Sequence, residues 1–173
     1  MERKEGHKKK NSTSSTKAVT RERVLELFLY EPQTGLLIRR KSGKAVGIKQ
    51  QGRSLVNIDG NIISVHRAIW LYMTGERPEQ IDHKNGIHWD NRWENLREAT
   101  NTQNSRNSRI GINNTSGYKG VSFIPRLNKY RAYITVNRKQ INLGCYKTAK
   151  EAAAVYNEAA KEHFGEFALL NEL

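Results

Sequence analysis

Apolar residues along this chain fall into two patterned regions, separated by a stretch with no apolar period. In the first, Val24, Leu25, Phe28 and Leu29 recur at helical spacing behind Thr20, a hydroxyl able to cap a helix. Residues 30–35 (YEPQTG) break that pattern. Short runs at 36–40, 45–49 and 54–58 then predict strands, with a turn at 41–44. Asp59-Gly60-Asn61 is a hairpin signal leading into Ile62, Ile63 and Val65. Over residues 65–75, Ala68, Ile69, Leu71 and Tyr72 give one apolar side to a helix that Gly75 and Pro78 end.

The second region covers the last third. Residues 118–123 predict a short strand and 125–128 a turn. Residues 129–136 alternate, with Tyr130, Ala132, Ile134 and Val136 on one face and Lys129, Arg131, Tyr133 and Thr135 on the other. Asn137-Arg138 is a tight turn, and residues 140–143 form a third strand closed by Gly144. Thr148 and Glu151 make a capping box for a helix over 149–163. Its inner face is Ala152, Ala153, Tyr156, Ala160 and Phe164; its outer face holds Lys150, Glu151, Asn157, Glu158, Lys161 and Glu162. A three-stranded antiparallel sheet backed by one helix leaves its other face free. That face carries Lys129, Arg131, Tyr133, Thr135, Gln140 and Asn142, side chains able to read base edges. The expected fold class is α+β.

Between the two regions, residues 81–104 read IDHKNGIHWDNRWENLREATNTQN. The pattern places Asp82-His83 at a strand end, a second short strand at 96–99, and a helix over 101–109 opened by a Thr100/Gln103 capping box. Asn104 falls in its first turns. These residues suit phosphodiester hydrolysis. A neutral imidazole, His83, can take a proton from water near neutral pH. Asp82 and Asn104 are hard oxygen ligands suited to one Mg2+ or Mn2+. Asn95 would orient the imidazole.

Composition narrows the partner. Of 173 residues, 30 are Lys or Arg and 17 Asp or Glu, a formal net charge of +13. That balance points to a polyanion, with double-stranded DNA ahead of an acidic membrane surface. No apolar run is long enough to span a membrane, and the polar N-terminus has no signal-peptide character. The single cysteine, Cys145, excludes an internal disulfide and a multi-cysteine site, so no structural zinc is expected. Residues 1–17 are basic and rich in Ser and Thr, a disordered tail in which His7 is inert.

The motifs DHKNG, DNRWENLR and T-x-x-Q-N resemble the HNH endonucleases, most closely the phage and intron-borne homing branch with a ββα-metal motif. Residues 20–44 resemble the leader of such proteins, and Val65-His66-Arg67 the pair that opens the helix behind their site. The resemblance implies that Asp82 binds metal and His83 is the general base. It puts Asn95 at the central signature position and Asn104 where many relatives have a third histidine. His66 is expected to be structural, His88 exposed, and Trp89 and Trp93 packed on the hairpin. Arg67, Lys84, Arg92 and Arg97 are candidate phosphate contacts. Further on, GYKGVSF, KYRAYI and residues 141–171 resemble the APETALA2/ethylene-response-factor DNA-binding domain, which implies a sheet in the major groove. Lys119 and Lys129 fall at positions usually basic there. Ser122 and Asn142 depart from the plant pattern, so its GC-rich target does not carry over.

The expected organisation is a tail over 1–17, an HNH module over 18–110, a linker over 111–116 and a DNA-binding unit over 117–173. The expected function is a site-specific, homing-type DNA endonuclease. It would nick one strand as a monomer, inside a cell, in the cytoplasm of a bacterial host if phage-borne. Two alternatives are a non-catalytic sequence-specific regulator and a packaging protein. Intact Asp82 and His83 argue against the first, and sequence discrimination at high salt would argue against the second. RNA fits less well, because Tyr133 is the only aromatic on the free face.

Overall fold

A computed structural model describes residues 18–47, 54–108, 110–111 and 113–173. The expected tail, His7 and the end of the strand expected at 45–49 lie outside the described residues.

Thr20 caps α1 (Arg21–Leu27), its hydroxyl accepting from the Arg23 amide at 3.3 Å. The helix is shorter than the apolar spacing predicts. Phe28 and Leu29 belong instead to β1 (Phe28–Glu31), which pairs antiparallel with β2 (Leu36–Arg39). Helical geometry is disfavoured at Glu31, the residue before Pro32. The run Phe28-Leu29-Tyr30 suits a strand with alternating burial: Phe28 is fully buried, whereas Leu29 is 43% exposed. β2 also pairs with β3 (Lys44–Val46). The hairpin of β4 (Leu55–Ile58) and β5 (Asn61–Ser64) leads directly into α2 (Val65–Thr74), which stops at Gly75 in the left-handed conformation. Val65, Ala68, Ile69 and Leu71 of α2 are buried with Val24, Phe28, Leu37 and Ile81 in a first core.

β6 (Gln80–His83) pairs antiparallel with β7 (Leu96–Ala99), placing Asp82 opposite Arg97 and His83 opposite Leu96. Thr100 and Gln103 close the capping box of α3 (Asn101–Arg106), which ends before the expected residue 109.

A second core lies in the last third. β8 (Val121–Ile124), β9 (Lys129–Val136) and β10 (Lys139–Tyr146) form an antiparallel sheet with β9 central. α4 (Ala149–Phe164) covers one face, packing Ala152, Ala153, Tyr156, Ala160 and Phe164 on Val121, Ala132 and Ile134. β10 extends past Gly144 because a bulge between Asn142 and Gly144 absorbs one residue and lets pairing resume. Asn157, expected on the outer face of α4, is buried. Its amide donates to the Asn171 carbonyl at 2.9 Å and accepts from the Asn171 amide at 2.8 Å.

The architecture mixes helices with small antiparallel sheets, compatible with the α+β class. No helix among the described residues is long and apolar enough to cross a membrane.

Gly120 sits at φ +72°, and a Cβ there would lie 2.0 Å from the Tyr156 ring and 2.7 Å from the Tyr133 carbonyl. Gly117, at φ +78°, faces open space. Gly120→Ala should therefore cost about 2–4 kcal/mol, overpacking adding to backbone strain. Gly117→Ala should cost about 1 kcal/mol. Urea denaturation of the two variants checks the difference.

Candidate active site

The β6–β7 hairpin and α3 converge on one carboxylate and one imidazole. His83, at the end of β6, is 4% exposed. Its Nε2 hydrogen-bonds Asn91 Oδ1 at 3.0 Å. With an amide oxygen as partner, Nε2 carries the proton and Nδ1 keeps the lone pair. Burial lowers the His83 pKa, opposed by the Asn91 bond and by the charges of Asp82 and Asp90. The ring is therefore neutral at pH 7. His66 and His88 stand edge-on to it, at ring distances of 5.3 and 6.0 Å. His66 is pushed down to about 4, chiefly by burial. His88 is exposed.

Asp82 is 4% exposed, and both of its carboxylate oxygens accept hydrogen bonds. Its Oδ2 accepts from Arg97 Nε at 2.9 Å and Nη2 at 2.7 Å. Asn107, the C-cap of α3, donates its amide to both carboxylate oxygens and to the His83 carbonyl at 2.7–3.0 Å. Arg97 is itself held from the last third of the chain. Its Nη1 donates to the Glu166 carbonyl at 2.6 Å, and its guanidinium carbon lies 3.8 Å from the centre of the Phe167 ring. One buried cation thus ties the hairpin to the short turn Gly165–Phe167.

Asn95 does not touch the imidazole. Its side chain accepts from the Asn85 amide and donates to Asn85 Oδ1 and to the Asp90 carbonyl, which fixes the loop between the strands. The ring contact belongs to Asn91, a residue within the motif but with no role assigned from sequence. Asn107 was also missed, although it lies one helical turn beyond Asn104. Asn104 is half-buried on α3, and nothing among the described residues hydrogen-bonds its side chain.

The four candidate phosphate contacts have structural work in this conformation. Arg67 donates to the Glu79 carbonyl and Lys84 to the Glu94 carbonyl. Arg92 pairs with Asp90 and Glu94, and holds Asp90 down to about 2. Arg97 is buried against Asp82. Trp93 packs on Trp70 at 5.0 Å, whereas Trp89 is 43% exposed.

Far from the hairpin, the strand register puts Lys129, Arg131, Tyr133, Thr135, Gln140 and Asn142 on the sheet face away from α4. The Arg131 guanidinium lies 5.2 Å from the Tyr133 ring centre, and its Nε is buried with no hydrogen-bond partner among the described residues. Lys119 is engaged elsewhere: its ammonium donates to the Arg106 and Ser108 carbonyls at 2.5 and 2.6 Å.

With this geometry in place, comparison with known proteins defines the class. A family model described as HNH endonuclease matches residues 64–106, which run from the end of β5 through α3. An uncharacterized HNH endonuclease of Acanthamoeba polyphaga mimivirus is 36% identical over 121 residues, 68% of this chain and 62% of its own length. Protein 3.8 of Escherichia phage T7 is 31% identical over 105 residues, 60% of this chain and 86% of its own. The chain therefore spans about three-fifths of the mimivirus relative and most of the phage one. Asp82 and His83, with the asparagines that hold them, all but Asn107 fall inside the matched segment. Residues 64–106 are thus an HNH endonuclease family domain.

Arg97→Met should destabilise the fold by about 3–5 kcal/mol in chemical denaturation, because Asp82 is left as an uncompensated buried charge. A second expectation concerns pH. Folding holds His66 below its ordinary value, so the unfolded chain takes up a proton that the folded chain refuses. That contribution to stability is complete above about pH 6.5 and is lost as pH falls towards about 4. The melting temperature should drop on acidification from pH 7 to pH 5, and drop less in His66→Gln.

Proposed function

We propose that this protein is a metal-dependent, homing-type DNA endonuclease with a ββα-metal site, and that it nicks one strand of double-stranded DNA. The observation that carries this reading is the pairing, on one strand end, of a neutral imidazole with a buried carboxylate, inside the segment that matches the HNH family. Among the described residues Asp82 Oδ1 accepts only from Asn107, so it retains lone-pair capacity, and nothing there engages the Asn104 side-chain amide. These hard donors fit one Mg2+ or Mn2+. Among the described residues no three His, Cys, Asp or Glu side chains could hold a metal between them, so such an ion would keep water and substrate phosphate as its other ligands. Bound there, the cation would stabilise charge on the departing 3′ oxygen.

The chain's own groups supply the rest. His83 Nδ1 takes a proton from the attacking water while Asn91 holds the other ring nitrogen. Asn107 and Arg97 fix the Asp82 carboxylate. The expected ends are a 5′-phosphate and a 3′-hydroxyl.

The second core is read as the DNA-positioning unit, on the strength of its resemblance to the APETALA2-type domain. Arg131, whose guanidinium lies beside Tyr133 on that face, is the side chain proposed to contact a base or a phosphate. Lys129, Thr135, Gln140 and Asn142 extend the same face. One site per chain favours a monomer that nicks an asymmetric target.

Supercoiled plasmid with Mg2+, Mn2+ or chelator tests this reading. Wild type should give open circles with metal only, and His83→Ala should lose at least about a hundredfold in rate while still binding DNA. Metal-independent cutting, or full activity in His83→Ala, would defeat the proposed mechanism. Lys129→Ala with Arg131→Ala should weaken binding and leave the metal requirement intact.

A further inference from the structure

A cleft of about 850 Å³ opens between α3 and the turn that joins β9 to β10. Three cationic residues line it: Arg106, Lys119 and Arg138. Thr102 and Ser105 of α3 and Asn113 of the connecting segment add hydroxyl and amide groups. None of its described lining residues is Asp or Glu, although the chain has 17 of them. The cations differ in how they are held. Lys119 is anchored at the end of α3 by two carbonyls. Arg106 lies over the Phe164 ring at 5.0 Å rather than against a carboxylate. Arg138 is exposed at the tip of the turn.

Position gives the cleft its meaning. One wall is α3, which carries Asn104 and whose cap, Asn107, holds Asp82. The opposite wall includes Tyr133 and Thr135, which belong to the outer sheet face. The cleft therefore lies between the helix that carries Asn104 and the strand that carries Tyr133 and Thr135. Its lining of guanidinium, hydroxyl and amide groups is the set that contacts phosphate oxygens and orients a duplex without reading its sequence.

We propose that this cleft carries the phosphodiester backbone of bound duplex DNA between the cutting site and the reading sheet. The proposal rests on the endonuclease reading above and adds where the substrate runs. A backbone held there fixes the interval between the recognised sequence and the cut.

The test measures fluorescence anisotropy of a short, fluorescein-labelled duplex of random sequence, in chelator, over a series of salt concentrations. Arg138→Asn removes one charge and keeps a residue that tolerates positive φ, which Arg138 adopts at 65°. Asn113→Asp adds one negative charge at an exposed site without changing side-chain size. Lys150→Asn, on the exposed side of α4, is the control for net charge. The two cleft variants should each weaken binding roughly three- to tenfold, and Arg138→Asn should also reduce the salt slope by about one, as loss of one phosphate contact requires. The control should change affinity less than about twofold. Equal losses in cleft variants and control would overturn the proposal. Because no cutting is measured, the two readings separate. A wild type that cuts nothing with metal, while the cleft variants still lose affinity, refutes the nuclease reading and supports the cleft. A wild type that nicks plasmid, while the cleft variants bind like the control, refutes the cleft alone.

Discussion

The pair between Arg97 and Asp82 is the interaction on which the rest of the site depends. Both groups are removed from water, with side chains 9% and 5% exposed. Two ions so placed persist only when paired and hydrogen-bonded well. Here the geometry supplies that: two guanidinium nitrogens on one carboxylate oxygen, an asparagine amide across both oxygens, a backbone carbonyl and an aromatic face for the remainder of the arginine. The partners come from β6, β7, the end of α3 and the turn after α4. The charge requirement of one side chain therefore fixes the relative placement of four segments distant in sequence.

Much of this was legible in the sequence, and the reasons for what was not are specific. The capping boxes at Thr100 and Thr148 located two helix starts, because both partners of such a box lie within four residues. The alternation over residues 129–136 located the central strand and its two faces. Asp82 and His83 were legible as a pair. The division of labour among the asparagines was not. Asn91, Asn95 and Asn107 have the same chemistry and similar spacing, and which one reaches the imidazole, the loop or the carboxylate is decided by the tertiary path of the hairpin. The same holds for the basic residues around the site, each of which looks in sequence like a phosphate ligand and in this conformation holds scaffold. Phe28 and Leu29 misled for a different reason. Their spacing fits a helix, but Pro32 and the pairing with β2 favour the strand.

The distribution of cations now has a pattern. Near His83, positive groups are spent on internal order: Arg67, Lys84, Arg92 and Arg97 each have a protein partner. On the outer sheet face and in the cleft, Arg131, Arg138 and Arg106 have no carboxylate partner among the described residues. Positive charge without a carboxylate partner thus lies away from the hairpin, on the outer sheet face and in the cleft.

Asn171 has a further consequence. Its side chain bridges both backbone groups of Lys119, while its own backbone is bonded to Asn157. The points where the chain enters and leaves the last third are thereby stapled side by side. A unit with adjacent ends can be inserted in, or exchanged between, host chains at a single seam. The seam here is not neutral, because Phe167 and the Glu166 carbonyl complete the surroundings of Arg97. Grafting a foreign unit onto this hairpin would take from Arg97 the Glu166 carbonyl and the Phe167 ring face that support it.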